Sequence, residues 1–434
     1  MRIEFPYTQY GSVDIPEANL LGVYGLPATA PLPDLSAQVS RVLNCPIGTP
    51  PLRELAHGKA NVLIIADDIS RPTPVHRILP PILNALHDAG IEDARIEFML
   101  ALGTHRPMTR EEFGKKLGPE IVARFSVHNH DWQDPKACVF MGTTAEGADV
   151  WVNKKVSQAD LVIGIGRIMP IDVCGFTGGG KIVIPGVCGR ITNSQMHWTR
   201  VHVPDDEVIG RRDNPVRHSI DSLARKAGLD FIVNVIMNDR HDIVDVVAGD
   251  LVDAHRVGCD KARRVHEVRV PSRADIVIAD GYPFDIEFWQ VNKALDSAGR
   301  VVSDGGMVIM VSPCYEGLSR AHPEIAEFGY RKVSEIIELV ESGRIRNRVV
   351  GVHMIQVSRV AMEKATVILV TDGIGKEGVE GVGLDYAPTV AMALAAAFER
   401  LGPDARVAVL RNAAEMLPVV GGPLSATDRE ECNG

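Results

Sequence analysis

Asn61-Val-Leu-Ile-Ile-Ala66 is the stretch on which the fold turns. Its apolar residues run on without alternation, so both faces need cover, as in a parallel strand held between helices. Asp67-Asp68-Ile-Ser70-Arg71-Pro72 follows at once and is rich in turn formers. Further on, the spacing predicts a helix over 75–89. The Pro80–Pro81 pair is expected to kink or split it, because each proline removes a backbone donor. A second strand falls at 95–102 (RIEFMLAL). Thr109 then caps a helix whose Glu111 and Glu112 suit the positive end of its dipole. Strands at 160–168 (DLVIGIGRI) and 231–237 (FIVNVIM) continue the rhythm. Strand–helix alternation of this kind predicts an α/β fold with mainly parallel sheets flanked by helices.

The pattern breaks at 268–274 (VRVPSRA) and begins afresh with DIVIADG at 275. A helix around 287–297, a strand at 307–311, a helix over 331–342, a strand at 366–370, an Ala-rich helix over 390–400 and a strand at 407–410 follow. The expected domains are therefore 1–270 and 271–434, with a disordered tail after Thr427.

Hydrophobic residues make up 45% of the 434 and charged residues 24%, so a core of ordinary size can be buried. The net charge of −10 repels phosphodiester backbones, which argues against a nucleic-acid partner. A small anionic substrate is compatible with it, because the field inside a cleft can oppose the net charge. The N-terminal residues lack an apolar signal-peptide core, and the apolar runs fall short of the about 20 residues of a membrane span. Seven scattered cysteines without a CxxC pair predict a reduced, cytoplasmic setting.

Gly175-Phe-Thr-Gly-Gly-Gly-Lys181 is the clearest chemical signal. Glycines let backbone N–H groups approach an anion, and the spacing matches a P-loop. Ile182, however, stands where the magnesium-binding hydroxyl belongs, which disfavours a phosphotransferase. The alternative is a flexible turn with a solvated lysine. His105 lies just after a strand, where ligands gather in parallel sheets, and can move protons near neutral pH. Asp68 and Arg71 could orient a histidine or grip a carboxylate, or simply form a turn. His128 and His130 alternate along a possible strand as weak metal-ligand candidates, and His202 is a spare near His197. Gln290 and Lys293 share one helix face and could hold an anion.

Taken in order, DDISRPTP at 67–74, GTHRP at 103–107, GFTGGGKIVIPG at 175–186, His197 sixteen residues after Lys181, NPVR at 214–217, QVNK at 290–293 and DGGMVIMVSPCYEG at 304–317 resemble the nickel-pincer-nucleotide-dependent lactate racemases and related 2-hydroxy-acid racemases and epimerases. The resemblance spans about residues 14 to 400. It implies an active site in the interdomain cleft and a pyridinium-derived mononucleotide joined as a thioamide to Lys181. It also implies nickel completed by His197, with Gly178, Gly179 and Gly180 (and Ser70) at the cofactor. His105 matches the acid/base histidine, Asp68 and Arg71 its supporting residues, and Gln290 and Lys293 the substrate-side pair. A hydride leaves C2 and returns to the opposite face. A hydroxy-acid substrate, cofactor-making proteins and a homodimer are the implied partners.

The family pattern has a second histidine ten residues before the lysine, and here that position is Ile171. Asp172, a histidine such as His128, His130 or His202, or a different substrate could compensate. The competing reading is a non-catalytic cofactor- or nucleotide-binding homologue that has lost the histidine.

Overall fold

The computed structural model describes residues 1–145 and 147–421; the tail expected to be disordered lies outside them. Two six-stranded sheets organise the chain. Across the first, the strands run Ile243–Gly249, Phe231–Met237, Leu161–Arg167, Val62–Asp67, Ile96–Ala101, Ser126–Asn129. All neighbours are parallel except the Ile243–Gly249 edge, which turns back antiparallel on Phe231–Met237. The chain starts in the middle, at Val62–Asp67, and works outward in each direction. The order therefore reverses between Val62–Asp67 and Leu161–Arg167. Ligands of doubly wound sheets bind outside the carboxyl ends of strands at such a point.

The second sheet is parallel throughout: Asp385–Ala387, Thr366–Val370, Val302–Val311, Ala274–Asp280, Val407–Leu410, Leu20–Tyr24. Its last strand comes from the N-terminus, so residues far ahead of position 270 complete the second sheet. Strands such as Phe231–Met237 are buried at every position, which explains an apolar run interrupted only by Asn234.

Helix Val75–Asp88 runs through Pro80 and Pro81 as a single element, so the pair does not split it. Two interior prolines cost roughly 6 kcal/mol at ~3 each. Ile78, Leu79, Ile82, Leu83 and Leu86 of the same helix are buried in the first core, at about 1.5–3 kcal/mol each. Burial outweighs the missing hydrogen bonds. The Thr109 cap is realised as a full capping box with Glu112.

The two units meet face to face. Arg167, at the end of a first-sheet strand, is ion-paired with Glu415 at 2.5 Å, and both side chains are almost fully buried. Helix Arg348–Ala361 lies on helix Arg190–Thr199, with Arg348 over the Trp198 ring at 5.4 Å. No helix among the described residues is long and apolar enough to cross a membrane.

Candidate active site

The carboxyl ends of three first-sheet strands open on a cavity of about 1120 Å³, counting the part open to solvent. Asp68 and Arg71 come from the turn after Val62–Asp67, His105 from the loop after Ile96–Ala101, and Lys181 from the segment after Leu161–Arg167. Helices Phe288–Val301 and Arg348–Ala361 of the second unit close the other side.

One network fixes the proton-handling end. His105 Nδ1 lies 2.5 Å from Asp68 Oδ2, so the imidazole donates there. Ser70 Oγ donates to Asp68 Oδ1 at 2.6 Å. Burial works to raise the Asp68 carboxyl, but His105, Arg71 and Ser70 more than offset it and hold it well below the usual range. Asp68 is therefore an anion, and Nδ1 of His105 carries the proton. The other ring nitrogen, Nε2, receives the Gln290 amide N–H at 2.9 Å. Gln290 Oε1 in turn accepts from Arg71 at 3.3 Å and from Lys293. Two cations on the amide oxygen set the flip of Gln290 and leave Nε2 as the basic nitrogen. Arg71 and Lys293 also sit over the Phe284 ring, at 5.5 and 4.7 Å. Burial, then the Arg71 charge, lower the Lys293 amine far below its ordinary value. A bound carboxylate would relieve that repulsion.

The glycine loop is built into the interior and is no flexible turn. Arg217, from the NPVR segment, donates to the carbonyls of Gly178 and Phe176. Thr177 Oγ1 donates to the Arg167 carbonyl at 2.7 Å, and Gly179 N–H donates to Asn234 Oδ1 at 2.8 Å. A Cβ on Gly179 would lie 2.8 Å from the His255 ring, so that glycine answers to packing. Of the three loop glycines only Gly178 reaches the cavity wall. Gly179 and Gly180 lie behind it, as does Ser70. Gly103 N–H donates to the Gly186 carbonyl at 2.9 Å, which ties the His105 loop to the lysine segment.

Lys181 and His197 line the same cavity. Among the described residues no carboxylate pairs with Lys181, and burial lowers its amine. His197 Nδ1 donates to the Asn193 carbonyl at 3.0 Å, one turn back on its helix, which frees Nε2. Burial and the nearby Lys181 charge push this imidazole down to about 4, so it is neutral at pH 7. A neutral imidazole oriented by its second nitrogen is the form that binds metals. The side chains of Asn193 and Arg167, also at the cavity, keep buried polar atoms without protein partners.

Ile171 lies on the wall, in a two-residue strand paired with Gly175–Phe176. Asp172 is beside it, but its Oδ2 is buried without a partner. Burial raises the carboxyl against the pull of Arg200 and Lys293. The other substitutes for the missing histidine lie elsewhere. His128 pairs with Glu97 at 2.9 Å, His130 with the Cys188 carbonyl at 2.9 Å, and His202 is exposed. No cluster of three or more metal-ligating His, Cys, Asp or Glu side chains occurs among the described residues. Sequence reasoning missed Trp289, His353 and Arg167 at the cavity. Trp289 stood next to Gln290, already singled out, and was the findable one.

Fold and cavity define a two-domain α/β protein whose units share one cavity at a strand-order switch point. Residues 8–208 match the lactate racemase N-terminal domain, and 270–417 match the lactate racemase C-terminal domain. A lactate racemase of Lactiplantibacillus plantarum is 30% identical over 421 residues, covering 94% of this chain and 97% of that one. Another, of Thermoanaerobacterium thermosaccharolyticum, is 31% identical over 321 residues, 73% of this chain and 75% of that one. The solved lactate racemase apoprotein from Thermoanaerobacterium thermosaccharolyticum superposes with a TM-score of 0.85 at 26% identity, over 96% of this chain and all of that one. The chain belongs to the lactate racemase family.

Proposed function

We propose that the protein is a racemase or epimerase of a 2-hydroxy acid that works with a nickel-pincer nucleotide tethered to Lys181. The observation that carries this reading is the meeting, in one cavity, of an unpaired lysine amine, a neutral histidine with a free Nε2, and the Asp68–His105 pair. The residues present fit the group. Lys181 offers a desolvated amine for attachment, His197 a ligand nitrogen for the metal, and Asn193 and Arg167 unpartnered polar atoms. When bound, the cofactor supplies a hydride acceptor for C2 of the substrate.

The protein's own part is binding and proton movement. Arg71 and Lys293 take the substrate carboxylate. The substrate hydroxyl displaces the Gln290 amide from His105 Nε2, and that nitrogen takes the hydroxyl proton. Asp68 stabilises the imidazolium that results. Proton removal matters because an alkoxide gives up hydride far more readily than an alcohol.

A protein expressed with the cofactor-making enzymes should show a covalent adduct on Lys181 and one nickel. Lys181→Ala should show neither. A clean cofactor-free mass for the wild type under those conditions would overturn the proposal, and optical rotation over a panel of hydroxy acids would separate an active racemase from a binding-only homologue.

A further inference from the structure

Resting on the racemase reading, we propose that His353 supplies the second proton-transfer group, in place of the side chain that Ile171 cannot provide. Of the titratable groups on the cavity wall, most are already committed. Asp67 is paired with Lys116 at 2.6 Å, Asp68 with His105, and Arg167 with Glu415. Arg71 and Lys293 are the cationic grip, and Lys181 and His197 belong to the cofactor. Asp172 and His353 remain. The unpartnered oxygen of Asp172 is shut inside the protein, among Arg200, Lys293 and Asp205.

His353 is held as an acid/base needs to be held. Trp289 stacks on its ring at 4.2 Å with 23° between the planes, and Trp289 also meets His322, tilted, at 4.2 Å. The Tyr330 hydroxyl meets His353 Nε2 at 3.2 Å. A phenol can donate to a neutral imidazole or accept from a charged one, so this bond survives either protonation state and leaves Nδ1 for the ligand. Trp289 on His353 and Gln290 on His105 are consecutive residues of one helix, about 100° apart around its axis. The two imidazoles thus reach the cavity from different directions, as inversion at a carbon requires.

The charged and titratable groups facing His353 are Lys293, His322 and Tyr330. Burial, then His322 and Lys293, keep the imidazole neutral at rest. A substrate carboxylate on Lys293 would offset the cation and ease protonation. From one enantiomer, neutral His105 takes the hydroxyl proton, while His353, protonated from solvent once the carboxylate is bound, gives its proton to the product oxygen; His105 then returns its extra proton to solvent. From the other enantiomer the roles exchange. One O–H bond breaks and one forms. The C2 hydrogen leaves and returns with its electron pair, so no net oxidation occurs.

The test uses cofactor-loaded protein and each enantiomer of a hydroxy acid that the wild type racemises. Single-turnover mixtures are quenched and the 2-oxo acid is counted. His353→Gln should lower racemisation by about 10²–10⁴-fold. It should still form 2-oxo acid from one enantiomer within threefold of wild type, and lose it from the other. Racemisation within threefold of wild type, or equal loss from both enantiomers with nickel retained, would overturn the inference. Should the variant fail to fold, ¹⁵N NMR of the cofactor-free wild type gives the answer: adding the hydroxy acid should shift the His353 Nδ1 signal, and an unmoved signal refutes the assignment. A wild type that forms no 2-oxo acid from either enantiomer overturns the racemase reading as well.

Discussion

Asp68→Asn probes the His105 network with almost no change in shape. The 2.5 Å bond from Nδ1 is kept in outline, but the anion is gone. Charges about 4 Å apart at an effective dielectric of ~20 interact by roughly 4 kcal/mol. At about 1.4 kcal/mol per decade, that attraction corresponds to about three decades in rate if it is wholly felt in the transition state. With the proton half transferred in the transition state, about 30-fold of that reaches the rate. An asparagine amide can also present N–H to Nδ1, which moves the ring proton to Nε2 and blocks the basic nitrogen. Racemisation should therefore fall by about 30- to 1,000-fold, measured by chiral chromatography on the best wild-type substrate, while nickel content and the Lys181 adduct stay unchanged. Activity within threefold of wild type would refute the assignment of Asp68 as orienter. Loss of nickel in proportion to activity would mean that Asp68 serves the cofactor instead.

Other expectations follow from the same geometry. Burial and the Lys181 charge each disfavour the charged form of His197, so in cofactor-free protein its ring should stay neutral by ¹⁵N NMR from pH 7 down to 5, titrating near 4. Lys181→Met should move that titration upward, toward 6.5, and an unchanged value would show the lysine to be remote. Glu415→Ala strands the buried Arg167 charge and should cost about 3–5 kcal/mol in denaturant titrations, against a smaller loss for Glu415→Gln; equal losses would argue that the charge is solvated. Ile171, Val349 and Val352 give the cavity an apolar wall, so each added substituent methylene should raise kcat/KM about fourfold, at ~0.8 kcal/mol each, until the space is filled. A steady fall with chain length would contradict that.

Much of the fold is written locally. Strands 231–237, 366–370 and 407–410 fall where their apolar runs place them, because a run of four to seven residues bounded by turn formers is too short for a buried helix. Helix Arg348–Ala361 is the instructive omission. It is buried almost all round, so it lacks the apolar stripe of an amphipathic helix, and Val349, Val350, Val352, Val357 and Val360 favour a strand on propensity. With that helix unread, His353 had no position from which to be chosen. Strand Leu20–Tyr24 was equally silent, since nothing local says that it crosses to pair with Val407–Leu410. The site residues Asp68, His105, Lys181 and His197 were legible through motif order, and they do line one cavity. The motif did not reveal how the glycines act: Gly179 and Gly180 make room for His255 and Ala224, and Gly178 alone borders the ligand space.

The division of labour between the units follows from where charge can be afforded. The chain carries a net −10, yet Arg71, Arg167, Lys181 and Lys293 converge on one cavity. The carboxylates nearby are otherwise engaged: Asp68 is paired with His105, Glu415 holds Arg167, and burial raises the carboxyl of Asp172. Such a concentration of cations is unfavourable until an anion enters, and Lys293 registers this most, its amine lowered by burial and by Arg71. The first unit, with its switch point between Val62–Asp67 and Leu161–Arg167, contributes Lys181, His197 and His105. The second contributes Gln290, Lys293, Trp289 and His353 on two helices that meet the first unit only when the cleft is assembled. Because helix Arg348–Ala361 also packs on the helix that carries His197, changes at its cavity-facing Val349 and Val352 are expected to act both on the space for a substituent and on the setting of His197.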